Sequence, residues 1–213
     1  LVEYIEETYE PYPALVMEWL PGVTLAEYWQ LNGQYMNFEN IVTLMLGITK
    51  VLRLAHDLSR VHLDIHPQNI IFRGYETNSP PVLLDWGLSA YINSSGVVTS
   101  PVYRHKSRPS FAIPFEYAAP EQFDNDFGFC CPKTDVYRLG LIFHDLLSNS
   151  DDDPALNRSN HASALAFEFE ASNITAPGMF SDMLQASLKQ HVKDRCSLDE
   201  FGRGLAGIVG TDW

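Results

Sequence analysis

Basic residues are scarce in this chain of 213 residues. Lysine and arginine together number 14, against 27 aspartate and glutamate residues, so the formal net charge is −13 and the pI lies near 4.8. An acidic surface repels the phosphates of nucleic acids and of anionic lipids. We therefore expect neither a nucleic acid nor a membrane among the partners of this protein.

Cysteine is also rare, and long apolar runs are absent. The three cysteines, Cys130, Cys131 and Cys196, show none of the spacings of a disulfide framework or a zinc site. No basic-then-apolar leader opens the sequence, and no apolar run approaches the length of a membrane span. We therefore expect a cytoplasmic or nuclear protein.

Apolar residues make up 46% of the chain and aromatic residues 12%, which is enough to bury a core. Their spacing predicts an α+β fold that is mostly helical. The segments rich in strand-forming residues are 1–5, 14–17, 69–72 and 82–84. The segments with helical periodicity are residues 37–57, 135–147 and 180–192, with short helices after Thr24 and from Leu198. Residues 88–118 have no clear period and predict a long ordered loop.

Two aspartates and an asparagine stand beside predicted strands. Asp64 precedes Asn69 by five residues in a loop that leads into an apolar strand, and Asp85 directly follows another strand. Carboxylate and amide oxygens suit a site for Mg²⁺ and phosphate, and they suit zinc poorly. One carboxylate can orient a hydroxyl nucleophile while the other, with the amide, holds the metal. Alternatively, these side chains only satisfy nearby backbone groups, as most polar loop residues do.

The motifs of the chain follow one another in a defined order. They are His62-Leu63-Asp64 with Asn69, Asp85-Trp86-Gly87, Ala119-Pro120-Glu121, Asp135 and Arg195. This order and spacing resembles the protein kinase family, in which the first three patterns are the catalytic loop, the metal-binding triplet and the end of the activation loop. The resemblance covers essentially the whole chain. It implies two remaining small-lobe strands with the hinge in residues 1–20, and a large lobe with a long activation segment in residues 21–213.

The resemblance also implies roles for single residues, with ATP and Mg²⁺ as cofactors and a protein as substrate. Asp64 would be the catalytic base or would position the substrate hydroxyl, and His66 would lie near the transferred phosphate. Asn69, also in the catalytic loop, and Asp85 would be the Mg²⁺ ligands. The residues expected around the adenine are Met17, Glu18, Leu20, Leu25 and Ile71.

Three further implied roles concern the architecture around the site. Glu121 and Arg195 would form a buried ion pair that anchors the activation loop, and Asp135 would hold the backbone of the catalytic loop. His62 and Trp86 would pack together beneath the site. A buried ion pair is costly unless it is well hydrogen-bonded, so the loss of Glu121 or Arg195 should destabilise the lobe.

The chain departs from the kinase pattern at several positions. Leu63 stands where many kinases have an arginine that binds an activation-loop phosphate, so we expect activation that does not depend on loop phosphorylation. His66 stands where Ser/Thr kinases usually have lysine. Pro114 is typical of tyrosine kinases, whereas Pro67 is typical of Ser/Thr kinases, and we favour the Ser/Thr type.

The glycine-rich loop, the strand lysine and its glutamate partner do not occur in this sequence, and no lysine precedes the expected hinge. Without the small lobe, much of the charge of the transition state goes unneutralised. We therefore expect a partial protein kinase domain that is inactive by itself. The parent enzyme would transfer the γ-phosphoryl group of ATP to a protein hydroxyl, under a regulatory partner that the sequence does not identify.

Other readings of the same residues stay open. A small-molecule kinase of the aminoglycoside or choline phosphotransferase type also carries the pattern of His62, Asp64, His66 and Asn69, although Ala119-Pro120-Glu121 is typical of protein kinases. A pseudokinase or binding scaffold would keep the fold without phosphoryl transfer. The missing lysine favours a scaffold, and the intact carboxylates oppose it. His62, Asp64 and His66 also match a metal triad, but no further ligand cluster supports one.

Overall fold

The computed structural model describes residues 3–5, 14–32, 36–74, 79–98, 115–148 and 178–213. Within these ranges the strands are short: β1 (Glu3–Ile5), β2 (Ala14–Val16), β3 (Arg60–Val61), β4 (Ile70–Phe72), β5 (Pro81–Leu83) and β6 (Ala90–Tyr91). The helices are α1 (Leu25–Asn32), α2 (Phe38–Asp57), α3 (Pro132–Ser148), α4 (Gly178–Ser187) and α5 (Leu198–Val209). The fold is mostly helical with few short strands, as the sequence predicts.

Side-chain caps explain where three of the helices begin. Thr24 and Glu27 form a reciprocal pair at the start of α1, in which each side chain accepts a hydrogen bond from the backbone N–H of the other. Ser197 and Glu200 form the same arrangement at the start of α5. Asn37 accepts from the backbone of the third residue after it and opens α2. Such caps satisfy N–H groups that have no partner within the helix.

The main apolar core takes buried side chains from all five of these helices and from β4 and β5. Helix α2 contacts both α3 and α5, and α3 also contacts α4. The apolar residues that recur at helical spacing in α2 form its buried face. Its buried residues are Ile41, Val42, Leu44, Met45, Leu46, Ile48, Thr49 and Leu52. A smaller cluster of Val61, Leu63, Ala90 and Cys130 lies at the start of the predicted catalytic loop.

The strands pair as three antiparallel two-stranded sheets, β1 with β2, β3 with β6, and β4 with β5. In the third sheet Ile70 pairs with Leu83, so the residue before β4 and the residues after β5 lie at the same end. The backbone N–H of Leu84 donates to the carbonyl of Asn69 at 2.8 Å and extends this pairing. The hairpin therefore brings two of the predicted site segments together.

Two predicted boundaries are wrong. The helix predicted over residues 180–192 ends at Ser187. The carbonyl of Ala186, which a longer helix would pair with the N–H of Gln190, accepts instead from the backbone N–H of Cys196 at 3.0 Å. The region predicted as a loop from residue 88 contains strand β6, which pairs with β3. Residues 99–114 of that region lie outside the described part of the chain. No helix in the described ranges is long and apolar enough to cross a membrane.

Candidate active site

One carboxylate on α3 holds the backbone at the start of the predicted catalytic loop. Asp135 accepts hydrogen bonds from the backbone N–H groups of His62 at 2.9 Å and Leu63 at 2.8 Å. His56 Nε2 lies 2.9 Å from the same carboxylate. Burial opposes the ionisation of Asp135, but its interactions with His56 and His62 together outweigh burial, and the pKa of Asp135 is lowered. The ionised carboxylate is thus a fixed anchor for the loop, as the sequence predicts.

Leu63 needs this anchor because its backbone is left-handed. Its φ is +67°, a conformation that costs a residue with a Cβ about 1–2 kcal/mol. The side chain is fully buried in the small cluster with Val61 and Ala90. The leucine at this position therefore packs inward, where a charged side chain would lack solvent.

His62 is buried, and both nitrogens of its ring are engaged. Nδ1 accepts a hydrogen bond from the backbone N–H of Asp64 at 3.2 Å, so Nε2 carries the proton and donates to the carbonyl of Leu84 at 3.0 Å. Burial lowers the pKa of His62, while the nearby charge of Asp135 acts in the opposite direction. The ring packs against Trp86 with 4.5 Å between centroids. His62 therefore links the two predicted site segments and is not a metal ligand.

Asp64 lies in a polar network of the catalytic loop. Its Oδ1 is 3.4 Å from a guanidinium nitrogen of Arg138, and its Oδ2 is 3.5 Å from Asn69 Nδ2 and 3.7 Å from His66 Nε2. Asn69 Nδ2 makes its shorter hydrogen bond, 2.9 Å, to the backbone oxygen of Asp64. His66 Nδ1 lies 2.6 Å from Gln68 Oε1, which fixes the ring. The structure thus brings together the three residues predicted to be catalytic.

Asp85 lies on the other side of the hairpin pairing. It directly follows Leu84, whose N–H donates to the carbonyl of Asn69 and whose carbonyl accepts from His62. Its backbone is left-handed, with φ of +55°, and its side chain accepts from the N–H of Gly87 at 3.1 Å. Asp85 is exposed, so its carboxylate can face a ligand in solvent.

The donor atoms at this end of the hairpin fit Mg²⁺. Asn69 uses Nδ2 to bind the backbone, so Oδ1 is its atom for a cation, and the carboxylate of Asp85 has acceptor positions beyond the one used by Gly87. Oxygen donors from one carboxylate and one amide leave room for water and phosphate, which Mg²⁺ usually retains. In the described residues, no group of three or more His, Cys, Asp and Glu side chains forms a metal cluster. The donor set therefore suits a metal that arrives with phosphate.

Of the residues predicted around the adenine, Met17, Glu18 and Leu20 lie at least partly at the surface, whereas Leu25 and Ile71 are buried. Met17 is exposed, and Glu18 forms an ion pair with Arg73, the residue after β4, at 2.7 Å. Leu20 is half-buried. The segment that follows is tied to β4, because Phe72 donates its N–H to the carbonyl of Val23.

Leu25 and Ile71 are both buried, and their neighbourhoods differ. Ile71 is 8% exposed and pairs with Thr24 through an isolated β-bridge. Leu25, which directly follows Thr24, has no exposed surface and belongs to the main core. The contact of adenine with each of these side chains stays a prediction.

Glu121 and Arg195 form the predicted buried ion pair. The two guanidinium nitrogens lie 2.6 and 3.0 Å from the two carboxylate oxygens, and neither side chain has exposed surface. Arg195 also donates to the carbonyls of Lys133, Lys189 and Gln190. All three guanidinium nitrogens of Arg195 therefore donate hydrogen bonds, which is the condition under which a buried ion pair is tolerated.

The comparisons with known proteins agree with this geometry. Residues 1–203 match the family model described as protein kinase domain. The chain belongs to the protein kinase family. It is 35% identical over 136 residues to serine/threonine-protein kinase C of Synechocystis sp., a match that covers 63% of this chain and 23% of that protein. It is 27% identical over 216 residues to serine/threonine-protein kinase DCLK2 of Rattus norvegicus, covering 100% of this chain and 26% of that kinase.

A third relative, serine/threonine-protein kinase PrkC of Bacillus subtilis, is 28% identical over 134 residues, which are 63% of this chain and 18% of that kinase. The matched regions thus span about a quarter or less of these three kinases. Family membership confirms the predicted kinase fold, in which the described residues form a helical lobe with limited strand content.

The sequence motifs do not include two further residues beside this site, Gln122 and Arg138. Both are buried, and both contact the catalytic loop: Gln122 donates to the carbonyl of Leu63, and Arg138 to that of Ile65. Arg138 follows Asp135 by three residues on α3, so the two share one helix face. That spacing is the only signal from which the sequence could have placed Arg138 at the loop.

Proposed function

We propose that this kinase domain transfers the γ-phosphoryl group of ATP to a protein hydroxyl, with the Ser/Thr type favoured. The observation that carries the proposal is the pairing of β4 with β5, extended by the hydrogen bond from Leu84 to Asn69. It joins the loop of Asp64 and Asn69 to the segment of Asp85. The relatives named above are serine/threonine kinases, and they support the Ser/Thr type.

Each site residue has a part in the proposed reaction. Asp64 orients the substrate hydroxyl and accepts its proton, and the contacts of its carboxylate with Asn69 and Arg138 limit its rotation. Asn69 and Asp85 supply oxygen ligands for Mg²⁺, which when bound with ATP neutralises the phosphate charge. His66, beside Asp64, lies on the side of the transferred phosphate, with its ring held by the contact of Nδ1 with Gln68 Oε1.

We further propose the division of the chain into a hinge with small-lobe strands in residues 1–20 and a large lobe in residues 21–213. The pairing of β1 with β2 supports a strand pair ahead of the hinge. Met17, Glu18, Leu20, Leu25 and Ile71 are the residues proposed for the adenine side. A complete phosphate site needs a glycine-rich loop and a lysine as well. The proposed activity is therefore that of the full-length protein.

The buried architecture favours a protein kinase over a small-molecule kinase or a scaffold. Glu121 paired with Arg195 holds the end of the activation segment, the part of a protein kinase that meets a protein substrate. Asp135 and Arg138 hold the catalytic loop, where a scaffold has no need of an oriented Asp64. A small-molecule kinase and a scaffold are the two alternatives that the experiment must separate.

The test measures phosphate transfer from radiolabelled ATP by the full-length protein, with casein and histone as protein acceptors and with choline and kanamycin as small acceptors. We expect Mg²⁺-dependent labelling of protein, and we expect Asp64→Asn and Asp85→Asn to reduce it by about 100-fold or more. Asp57→Asn, an exposed aspartate at the end of α2, is the matched control and should keep full activity.

Three results would contradict the proposal. Labelling of choline or kanamycin without labelling of protein would indicate a small-molecule kinase. No transfer by the wild type to any acceptor, autophosphorylation included, would indicate a scaffold. Undiminished transfer by both Asp64→Asn and Asp85→Asn would show that the site lies elsewhere.

A further inference from the structure

Arg138 is a fully buried arginine that points from α3 into the catalytic loop. Its Nε donates to Gln122 Oε1 at 2.8 Å. One terminal nitrogen lies 3.2 Å from the carbonyl oxygen of Ile65 and 3.4 Å from Asp64 Oδ1. The guanidinium thus touches both the backbone of the loop and the carboxylate proposed to act on the substrate.

Gln122 holds the guanidinium in place from the other side. Its Oε1 accepts from Arg138 and also from the backbone N–H of Ala119 at 3.0 Å, while its Nε2 donates to the carbonyl of Leu63 at 3.0 Å. The amide is therefore oriented by three hydrogen bonds. Because Gln122 directly follows Glu121, the end of the activation segment is linked through Arg138 to Asp64.

The charge of Arg138 needs a counter-charge, because burying a guanidinium without one is strongly destabilising. Asp135 is one helical turn away, but its carboxylate already accepts from His62, Leu63 and His56. The carboxylate of Asp64 lies within ion-pair distance of Arg138, at 3.4 Å. The pairing therefore has an electrostatic cause and is not only a packing contact.

The other residues of the loop make this cation more important. Leu63 and His66 stand at positions where many kinases carry arginine and lysine, and neither has a permanent positive charge. Leu63 is moreover buried away from Asp64 in the small apolar cluster. Arg138, on helix α3, places a permanent positive charge beside the loop. Its planar guanidinium has several N–H donors and contacts Gln122, Ile65 and Asp64 at once.

We infer that Arg138 is a positioning residue that fixes the Asp64 carboxylate for the transfer step, with Gln122 fixing Arg138. The inference rests on the proposed phosphoryl transfer by Asp64. Arg138 touches the proposed catalytic residue and the loop backbone, so it acts through Asp64. Misplacement of a reacting group by about 1 Å can cost about 100-fold in rate, which sets the scale of the effect.

The test compares Arg138→Met and Arg138→Lys in the full-length protein by steady-state kinetics and by single-turnover transfer. We expect Arg138→Met to lower kcat by about tenfold or more, with the KM for ATP unchanged within about twofold, because the nucleotide ligands are not altered. Lysine keeps the positive charge but lacks the planar guanidinium with its several donors. We therefore expect the kcat of Arg138→Lys to lie between those of Arg138→Met and the wild type. Arg203→Met, an exposed arginine on α5, is the matched control.

A double-mutant cycle separates positioning from a general structural role. If Arg138 acts through Asp64, adding Arg138→Met to Asp64→Asn should cause no further loss of single-turnover rate. Equal losses in both backgrounds would overturn the inference, as would a folded Arg138→Met enzyme with the wild-type kcat. If Arg138→Met does not fold, Arg138→Lys decides: a reduced kcat at unchanged KM for ATP supports the inference, and a wild-type kcat contradicts it.

The wild-type and Asp64→Asn measurements distinguish this inference from the proposed function. An inactive wild type, or an Asp64→Asn enzyme as active as the wild type, would remove the proposed function and the inference with it. An active wild type that depends on Asp64 but tolerates Arg138→Met would remove the inference alone.

Discussion

At the scale of single residues, His62 gives the folded protein a dependence on pH. Burial lowers its pKa from the ordinary value of 6.5, while the unfolded chain regains that value. Below about pH 6.5 the unfolded state therefore binds more protons, and the stability that neutral His62 supports is lost as the pH falls toward its lower folded pKa. We expect the free energy of unfolding, measured with urea, to decrease between about pH 7 and pH 5.

His62→Gln tests this cause. Glutamine is neutral at every pH in this window and can still donate to the carbonyl of Leu84. The decrease in stability on acidification should be smaller in His62→Gln than in the wild type. His191→Gln, which changes an exposed histidine, is the matched control. A free energy of unfolding that depends on pH as strongly in His62→Gln as in His191→Gln would show that His62 does not cause the loss of stability on acidification.

The two left-handed residues of the site show how strain is held at single positions. Leu63 has φ of +67° and Asp85 has φ of +55°. A carboxylate stabilises each of them. The N–H of Leu63 donates to Asp135 on α3, and the side chain of Asp85 accepts from the N–H of Gly87. Conformations of this kind persist where the surroundings determine them, and they concentrate at functional sites.

At the scale of elements, the close approach of α3 and α4 depends on glycine. A Cβ at Gly140 would overlap Ser187 Oγ and would lie 2.9 Å from Leu188 Cδ2, which is closer than packed atoms allow. We expect Gly140→Ala to lower the free energy of unfolding by about 1–3 kcal/mol because the two segments must separate. Urea denaturation measures this change.

Gly207 on α5 provides the control, because a Cβ there would meet nothing within 4 Å. Gly207→Ala should raise stability by up to about 1 kcal/mol through helix propensity alone. Destabilisation by both substitutions to the same extent would contradict the packing argument for Gly140.

The ion pair between Glu121 and Arg195 joins two segments that lie far apart in the sequence. Glu121→Gln should lower the free energy of unfolding by about 3 kcal/mol, because it leaves the guanidinium buried without its counter-charge. Arg195→Met should cost more, since the carbonyls of Lys133, Lys189 and Gln190 also lose their donor.

The double variant Glu121→Leu/Arg195→Met checks this explanation by the same denaturation experiment. It leaves no unpaired charge, so its loss should be smaller than the sum of the two single losses. Strictly additive losses, or a single variant as stable as the wild type, would show that the pair does not stabilise the lobe.

The sequence predicts elements well where their cause is local. The apolar period predicts α2 over residues 37–57, within one residue of its observed bounds. The end of α4 at Ser187 escapes prediction because the backbone N–H of Cys196, several residues later, binds the carbonyl of Ala186 that would continue the helix. Strands β3 and β6 have two residues each, which is too short for alternation to be visible.

The same distinction applies to the candidate site. Asp64, Asn69 and Asp85 belong to motifs with known spacing, so they could be named from the sequence. The contact between Gln122 and Arg138 could not, because it joins residues 16 positions apart that belong to no such motif. A buried arginine on an amphipathic helix resembles a solvent-facing one until its neighbours are known.

At the scale of the whole molecule, α3 couples the core to the candidate active site. Asp135 and Arg138 hold the catalytic loop, while Gly140 lies against the segment that follows α4. The hairpin of β4 and β5 then joins this loop to Asp85. This network thus holds the two proposed oxygen ligands, Asn69 and Asp85, at one end of a small sheet.

The most direct test of the account is the binding of Mn²⁺, as a spectroscopic substitute for Mg²⁺, to the full-length protein with a non-hydrolysable ATP analogue. Electron paramagnetic resonance measures the free and bound metal in the wild type and in Asp85→Asn. We expect Mn²⁺ binding that requires the analogue and that weakens by about tenfold or more in Asp85→Asn. Equal Mn²⁺ affinity in the two proteins would contradict the proposal that Asp85 holds the metal of this kinase site.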